Sequence, residues 1–346
     1  MNQSKITVSV VMPIRNEEKY IVNCIESLMK QDYPKNDLEI ILVDGCSTDK
    51  TKEILIGYQI KHPKLIKVID NPNKTVQYAL NIGIHAAKGT YIVRLDAHSE
   101  YANDYISKCV HYLKTTDATN VGGPTIVKGK TTLQKVIAAS YHSSYGMGGG
   151  NHHNEQYEGY SETVFLGSYR KESIVRLGLY DENFPRNEDD ELNFRIIKNG
   201  GKVFVTPQIK SVYFPRNSLK ALFKQHFEYG YWKVAVIKKH NKPARITHLV
   251  PGAFVVFNMI GLPLSFLFKP IAALYCAVMI LYFTLNAYFS VTNKYTSGFY
   301  NKITLFLIHI ILHVSYGTGF IYGLLNMRRF KFNYGVIKDH SVSVKQ

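Results

Sequence analysis

At 346 residues the chain is long enough for one large or two ordinary domains, each with a substantial core. Its formal charge of +16 fits nucleic acid, an anionic membrane face or phosphorylated substrates. No zinc-finger, basic-zipper or RNA-binding aromatic motif accompanies that charge, which excludes nucleic acid as a partner, and many of the bases flank long apolar stretches, which points to a membrane face.

The amino terminus, Met1-Asn-Gln-Ser-Lys5, leads straight into strand-like sequence and is expected to carry no cleaved leader. Ile6 to Met12 reads as a buried strand halted by Pro13, and Arg15-Asn16-Glu17-Glu18 opens an amphipathic helix carrying Ile21, Ile25 and Leu28. A second strand, Leu38 to Val43, stops at Asp44-Gly45-Cys46-Ser47-Thr48-Asp49, where Asp44 either faces the crevice or simply turns the chain before Gly45. Leu65 to Ile69 is a third strand and Thr75 to Ala87 a helix. Tyr91 to Leu95 then runs as a strand into Asp96-Ala97-His98. Repeated strand-turn-helix units imply an α/β fold with a parallel sheet, helices on both faces and right-handed crossovers. There is no Gly-x-Gly-x-x-Gly after the first strand and no Walker lysine loop, which excludes dinucleotide redox chemistry and ATP hydrolysis.

Asp96 and His98, one residue apart at a strand's carboxyl end, project the same way from a pleated chain. Carboxylate oxygen and imidazole nitrogen suit a divalent cation, Mn or Mg, although two such residues alone are equally a turn Asp and a surface His. Four cysteines, Cys24, Cys46, Cys109 and Cys276, lack metal-ligand or disulfide spacing, as in a reducing compartment.

From Tyr141 to Glu162 the chain is rich in Gly and Tyr and is expected to be an irregular flap over a cleft, with His152 and His153 belonging to a polar flap rather than a second metal site. Phe184-Pro-Arg-Asn-Glu-Asp-Asp-Glu191 combines Asn187 as a helix cap with four acids whose crowding should raise at least one carboxyl pKa. Val203 to Thr206 is a strand, and the helix that follows carries Phe223 to Lys233 with aromatic residues near helical spacing. Three uncharged stretches then reach spanning length: Leu249 to Phe268, Ile271 to Val291 and Ile303 to Leu325. Bases on both outer flanks ask for the same side of the membrane, whereas three full spans put them on opposite sides. Pro251, Gly252, Gly261 and Pro263 make the first stretch the candidate for a re-entrant or interfacial segment. The expected organisation is a catalytic domain over 1–240, a membrane-associated helical region over 241–335 and a polar tail over 336–346.

Six segments in order resemble the nucleotide-sugar glycosyltransferases of family 2, which have the GT-A fold. They are Val10-Val-Met-Pro-Ile-Arg-Asn-Glu17, Val43-Asp-Gly-Cys-Ser-Thr-Asp49, Ala79-Leu-Asn-Ile-Gly83 with Ala87-Lys-Gly89, Arg94-Leu-Asp-Ala-His98, Gly167-Ser-Tyr-Arg170 with Gly178-Leu-Tyr-Asp-Glu182, and Glu188 to Arg195. The Asp-Ala-His form, where the family usually shows Asp-x-Asp, is similar to a succinoglycan-type branch. The resemblance implies a GT-A sheet followed by transmembrane or interfacial helices. It also implies that Pro13, Arg15 and Glu17 line a nucleotide pocket, Asp44 contacts the base or ribose, Arg94 sits by the ribose and diphosphate, and Asp96 and His98 reach the metal. Gln225, Tyr229 and Lys233 would lie over the donor diphosphate, with Asp189 as catalytic base and Glu188 beside it.

The same resemblance implies an inverting hexosyl transfer from a nucleotide-diphospho-sugar, read as a UDP-sugar, to a hydroxyl of a lipid-linked saccharide in exopolysaccharide or capsule synthesis. The catalytic domain would face the cytoplasm from a bacterial inner membrane, in a multi-pass protein. The alternatives are a polyprenyl-phosphate glycosyltransferase or an inactive nucleotide-sugar-binding membrane scaffold. Tyr231-Trp232-Lys233 stands where processive polymer synthases carry Gln-x-x-Arg-Trp, which argues against a cellulose- or hyaluronan-synthase type.

Overall fold

The computed structural model describes residues 6–243, 245–330 and 332. The tail expected over 336–346 and Lys331 lie outside the described residues. The chain opens with β1 (Val8–Ile14), α1 (Ile21–Met29), β2 (Leu38–Asp44), α2 (Thr51–Lys61), β3 (Ile66–Asp70), α3 (Val76–Ala86) and β4 (Tyr91–Arg94). It continues through β5 (Ser99–Tyr101), α4 (Tyr105–Thr115), β6 (Asn120–Gly123), β7 (Ile126–Val127), α5 (Thr132–Tyr141), α6 (Ser144–Met147), β8 (Gly159–Ser161), β9 (Phe165–Arg170), α7 (Lys171–Arg176), α8 (Glu188–Lys198), β10 (Val203–Val205) and β11 (Ser211–Tyr213). It closes with α9 (Leu219–His240), α10 (Val250–Ser265), α11 (Lys269–Thr292) and α12 (Phe299–Leu325).

The main sheet has the order β3-β2-β1-β4-β9-β6-β10-β8, and β5-β11-β7 form a small second sheet. In the main sheet β9 and β8 run against their neighbours and the other pairings are parallel. The expected parallel sheet is therefore mostly parallel. Alternation within β1 separates two cores: Val8, Val10, Met12 and Ile14 face α1 and α4, whereas Val11 faces α3 and joins a cluster that includes Leu192 and Ile196 of α8. Helices thus cover both faces, which puts the loops at the strands' carboxyl ends along one edge.

Pro13 does not halt β1, which runs to Ile14. The backbone of Thr7 and Val11 bonds toward β4 (Tyr91 N to Thr7 O, 3.0 Å; Leu95 N to Val11 O, 3.1 Å), and Pro13, two residues on, faces the same way. Pairing with β4 has already ended at Val11–Arg94, so the missing N–H of proline deprives no neighbour. Gly83 lets α3 lie against β1, since a Cβ there would fall 2.3 Å from Val11 Cγ1.

Among the described residues three helices are long and apolar enough to cross a membrane: Ile246–Ser265, Lys269–Thr292 and Phe299–Leu325. They differ in what they touch. In its most apolar window α12 is 44% buried and α11 6% buried. The partner of α12 is α9, and the two approach backbone to backbone: a Cβ on Gly230 would lie 2.0 Å from Tyr316 O, and one on Gly319 would lie 2.0 Å from Phe227 O. At the far end Lys238 Nζ donates to Met327 O and Phe330 O, each at 2.8 Å.

Candidate active site

A cleft of about 1550 Å³ runs from the loop after β1, past the end of β4 and the start of α8, to α9 and the apolar helices. Single small-molecule pockets commonly span about 300–1,000 Å³, so this one has room for two substrates. Pro13, Arg15 and Glu17 line one end, Arg94, Asp96, His98, Glu188 and Asp189 the middle, and Gln225, Tyr229 and Lys233 the helical side. The last three recur every fourth residue and so share one face of α9.

Asp44 is the one expected site residue that is not on the wall. It is fully buried, and its carboxylate accepts from Ser47 Oγ at 2.6 Å and Ser47 N at 3.2 Å, which turns the chain so that Gly45 fronts the cleft instead. Neighbouring loops are held in the left-handed region at Asn16 (φ 56°), Cys46 (φ 55°) and Lys74 (φ 64°), a conformation non-glycine residues rarely adopt. Cross-loop bonds hold it there: Asn16 N donates to Ser47 Oγ (3.0 Å), and Thr48 N donates to Asn16 Oδ1 (2.8 Å).

The four acids at the start of α8 face different surroundings, because successive helical residues step around the axis. Glu188 Oε1 accepts from Arg94 Nη2 at 2.9 Å, and the same nitrogen lies 3.7 Å from Asp96 Oδ1, so Arg94 bridges the strand end and the acids. Burial works against the Arg94 charge, but Asp96 and Glu188 overcome it. Asp190 is paired with Lys233 of α9. Burial opposes its ionisation, yet the ammonium beside it holds its pKa below the usual value.

Glu191 turns away from the cleft into a closed network. It accepts from Arg195 Nε (2.8 Å) and Lys239 Nζ (2.6 Å) with His240 Nε2 at 3.2 Å, and despite burial these partners hold its pKa at about 2. Of the four, only Asp189 has no paired cation among the described residues; its Oδ1 accepts from Asp190 N at 2.8 Å. Burial, then the charges of Glu188 and Asp190, push its pKa up to about 7. Asn187 does not cap α8. It sits at φ 58° and its Nδ2 donates to Tyr229 O at 3.1 Å, tying the acid turn to α9.

Asp96 and His98 front the same stretch of cleft, and the Asp96 charge acts on the imidazole. Glu17 Oε1 lies 3.3 Å from His98 Nδ1. The donor set suits Mn or Mg. Among the described residues no group of three or more His, Cys, Asp or Glu converges as a metal cage, so a cation here would take most of its oxygens from a phosphorylated ligand and water.

The segment expected as an irregular flap has defined elements: α6, a single 3-10 turn (Asn151–His153) and β8. It is fastened to the apolar helices. Tyr145 Oη donates to Tyr282 O (3.0 Å), His313 Nε2 lies 2.8 Å from Tyr145 O, and Tyr145 stacks on Phe289 at 5.3 Å. Wall residues that sequence reasoning missed include Tyr141, Tyr213, His226, Arg245, His248 and Tyr316. Tyr316 inside an otherwise apolar stretch, and His248 just before one, were the available signal.

Comparison with known proteins gives one consistent result. The family described as glycosyl transferase family 2 matches residues 9–178. Over 331 residues the chain is 30% identical to a dolichyl N-acetyl-α-D-glucosaminyl phosphate 3-β-D-2,3-diacetamido-2,3-dideoxy-β-D-glucuronosyltransferase of Methanococcus voltae, covering 91% of this chain and 98% of that one. It is 32% identical over 246 residues to the succinoglycan biosynthesis protein ExoA of Rhizobium meliloti, covering 70% and 74%. Its fold is shared with the mannosyltransferase PcManGT of Pyrobaculum calidifontis, solved in complex with GDP-Man and Mn2+, at a TM-score of 0.60 and 17% identity over 91% of this chain and 87% of that one.

Proposed function

The chain belongs to glycosyltransferase family 2, and from that premise we propose that it transfers a hexose with inversion from a nucleotide-diphospho-sugar, a UDP-sugar in the first instance, to a hydroxyl of a lipid-linked saccharide. The observation that carries this reading is the convergence on one cleft of Arg15 and Glu17, of Asp96 and His98, and of Asp189 with its pKa near 7. A carboxyl titrating there accepts a proton from an attacking hydroxyl at neutral pH and, once neutral, can return it. Arg94, kept charged by Asp96 and Glu188, would stabilise the negative charge that collects as the nucleotide diphosphate departs. When bound at Asp96 and His98, a divalent cation, Mn or Mg, supplies further neutralisation to that leaving group. Lys233 holds Asp190 and so keeps the second acid from competing for the proton.

The relatives support the acceptor class: one is named for a dolichyl-linked sugar phosphate and the other for succinoglycan biosynthesis. The apolar side of the cleft, with Val250, Pro251, Phe254 and Leu312, suits a substrate that carries a lipid. We read 1–240 as the catalytic unit and 241–335 as its membrane region, in a bacterial inner membrane with the cleft toward the cytoplasm. The apolar helix Ile246–Ser265 is long enough to span, but Pro251, Gly252, Gly261 and Pro263 within it, and basic flanks that ask for one side of the membrane, favour a re-entrant or interfacial segment. Transfer to a bare polyprenyl phosphate is the second reading. Its acceptor is already anionic and needs no base, so the raised pKa of Asp189 favours the first.

The test incubates membranes containing the full chain with a panel of nucleotide sugars and Mn or Mg and measures released nucleotide. Release from one donor, stimulated by a lipid-linked saccharide, is expected. Silence with every donor would overturn the reading and leave a scaffold.

A further inference from the structure

Beyond Asp189 the cleft continues into a lobe built by the turn at Asn151–His153, α9, the turn Ile246–His248 and α12, all outside the six motif segments. Its polar atoms lack partners. His152 Nδ1, His153 Nδ1, His226 Nε2, His248 Nδ1, Gln225 Oε1 and Tyr316 Oη are enclosed without a hydrogen bond, and all six residues line the cleft. Enclosed polar atoms normally find partners within the protein, so a set of orphans on one wall marks where a ligand's own polar groups belong.

The same wall is rich in rings. His152 lies against His153 with centroids 4.0 Å apart, His153 meets Tyr141 edge-on at 6.3 Å, Tyr141 meets His226 at 6.3 Å, and His226 meets Tyr229 at 5.4 Å. Of the two cations that act on His152, Lys233 is paired with Asp190, and Arg245 Nη1 lies 3.4 Å from Glu162 Oε1. Burial lowers the pKa of His152 and His153, and that of His226 to about 3, so these imidazoles are neutral at physiological pH. A phosphate beside His152 would meet cations already paired, whereas Arg216, whose charge reaches Tyr141, has no ion pair among the described residues. An uncharged ring with several hydroxyls and an apolar C–H face fits both the orphaned atoms and the aromatic surfaces.

Resting on the transferase reading, we propose that this lobe is the acceptor-sugar subsite. It holds an uncharged hexose or N-acetylhexosamine ring of the acceptor against Tyr141 and the paired imidazoles, with His152, His226 and His248 hydrogen-bonding its hydroxyls. The attacking hydroxyl points back to Asp189, and the lipid leaves along the apolar wall of α10 and α12. The acid turn adjoins it directly, since the charge of Asp190 is felt at His152.

The experiment uses the full chain in lipid nanodiscs and reads the fluorescence of Trp232, the single tryptophan, which lines the cleft. The probes are phenyl β-glucoside, phenyl N-acetyl-β-glucosaminide, phenyl β-glucuronide and inorganic pyrophosphate, each added with the nucleotide product present. Saturable binding of at least one uncharged glycoside is expected. His152→Ala and His248→Ala should each weaken it about tenfold, the scale of one lost hydrogen bond, and His152→Asn, which keeps a polar atom near the Nδ1 position, should restore most of it. Failure of every uncharged glycoside to bind, equal affinity in both alanine variants, displacement of the nucleotide by the glycoside, or preference for pyrophosphate would each overturn the subsite. Nucleotide-sugar hydrolysis in the same samples keeps the two ideas apart. Hydrolysis without glycoside binding removes the subsite alone, whereas loss of hydrolysis with every donor removes the transferase reading beneath it.

Discussion

The two walls of the cleft are built by different physics. On one, Arg94 ends the β1–β4 ladder, and Arg15, Asp96 and His98 stand just past the ends of these paired strands. On the other, Asp189, Tyr229, Lys233 and His248 belong to helices and turns whose positions depend on ion pairs, buried rings and the glycine contact between α9 and α12. A strand-end wall tolerates substitution of one side chain without moving the rest. A helical wall is more tightly coupled, so removing one partner should disturb its neighbours.

The largest expected effect falls at the junction of the walls. Asp189→Asn should lower transfer by roughly 10²–10⁴-fold, the usual range for loss of a general base, while nucleotide-sugar affinity holds. Steady-state turnover and donor titration measure both, and near-normal turnover would break the division of labour among the four acids. Next comes Glu191→Gln, two residues on and facing away from the cleft. It strands Arg195, Lys239 and His240 and should destabilise the fold by about 3–5 kcal/mol, read as a lower melting temperature.

The sign for Glu191 is set by its pKa of about 2 in the fold, against about 4.3 unfolded. The stabilisation is complete above the unfolded value and is lost as pH falls toward 2. A variant as stable as the parent would mean that the helical wall is less coupled than its contacts indicate. The smallest effect is the pH profile. With Asp189 titrating near 7, its base form is lost as pH falls, so kcat/KM should drop about tenfold per unit below that point and level off above it. An inflection near the ordinary carboxylate value would show that Asp189 is not the group in control.

Legibility in the sequence divides along the same line. Apolar runs of strand length placed β1 to β4 within a residue or two, and with them the position of Asp96 and His98 just past β4. Pro13 misled because an isolated proline says nothing of which neighbour its N–H would have faced. Asp44 was open between a turn role and a ligand contact, because a carboxylate at a strand end can serve either, and in the fold its carboxylate accepts from Ser47. Asn187 has cap chemistry but an αL backbone, which directs its side chain to Tyr229 O. The contact of α12 with α9 depends on residues some ninety positions apart. Gly230 and Gly319 were visible, yet nothing local shows which helix a small residue will meet.

That glycine contact also determines where the protein can be cut. Because α9 and α12 touch through their backbones and α12 contributes Leu312, His313 and Tyr316 to the cleft, the apolar helices are not a detachable anchor. A water-soluble fragment ending after α9 would keep the strand-end pocket and lose one side of the chamber, so it would report on the donor while remaining blind to whatever the donor is meant to meet.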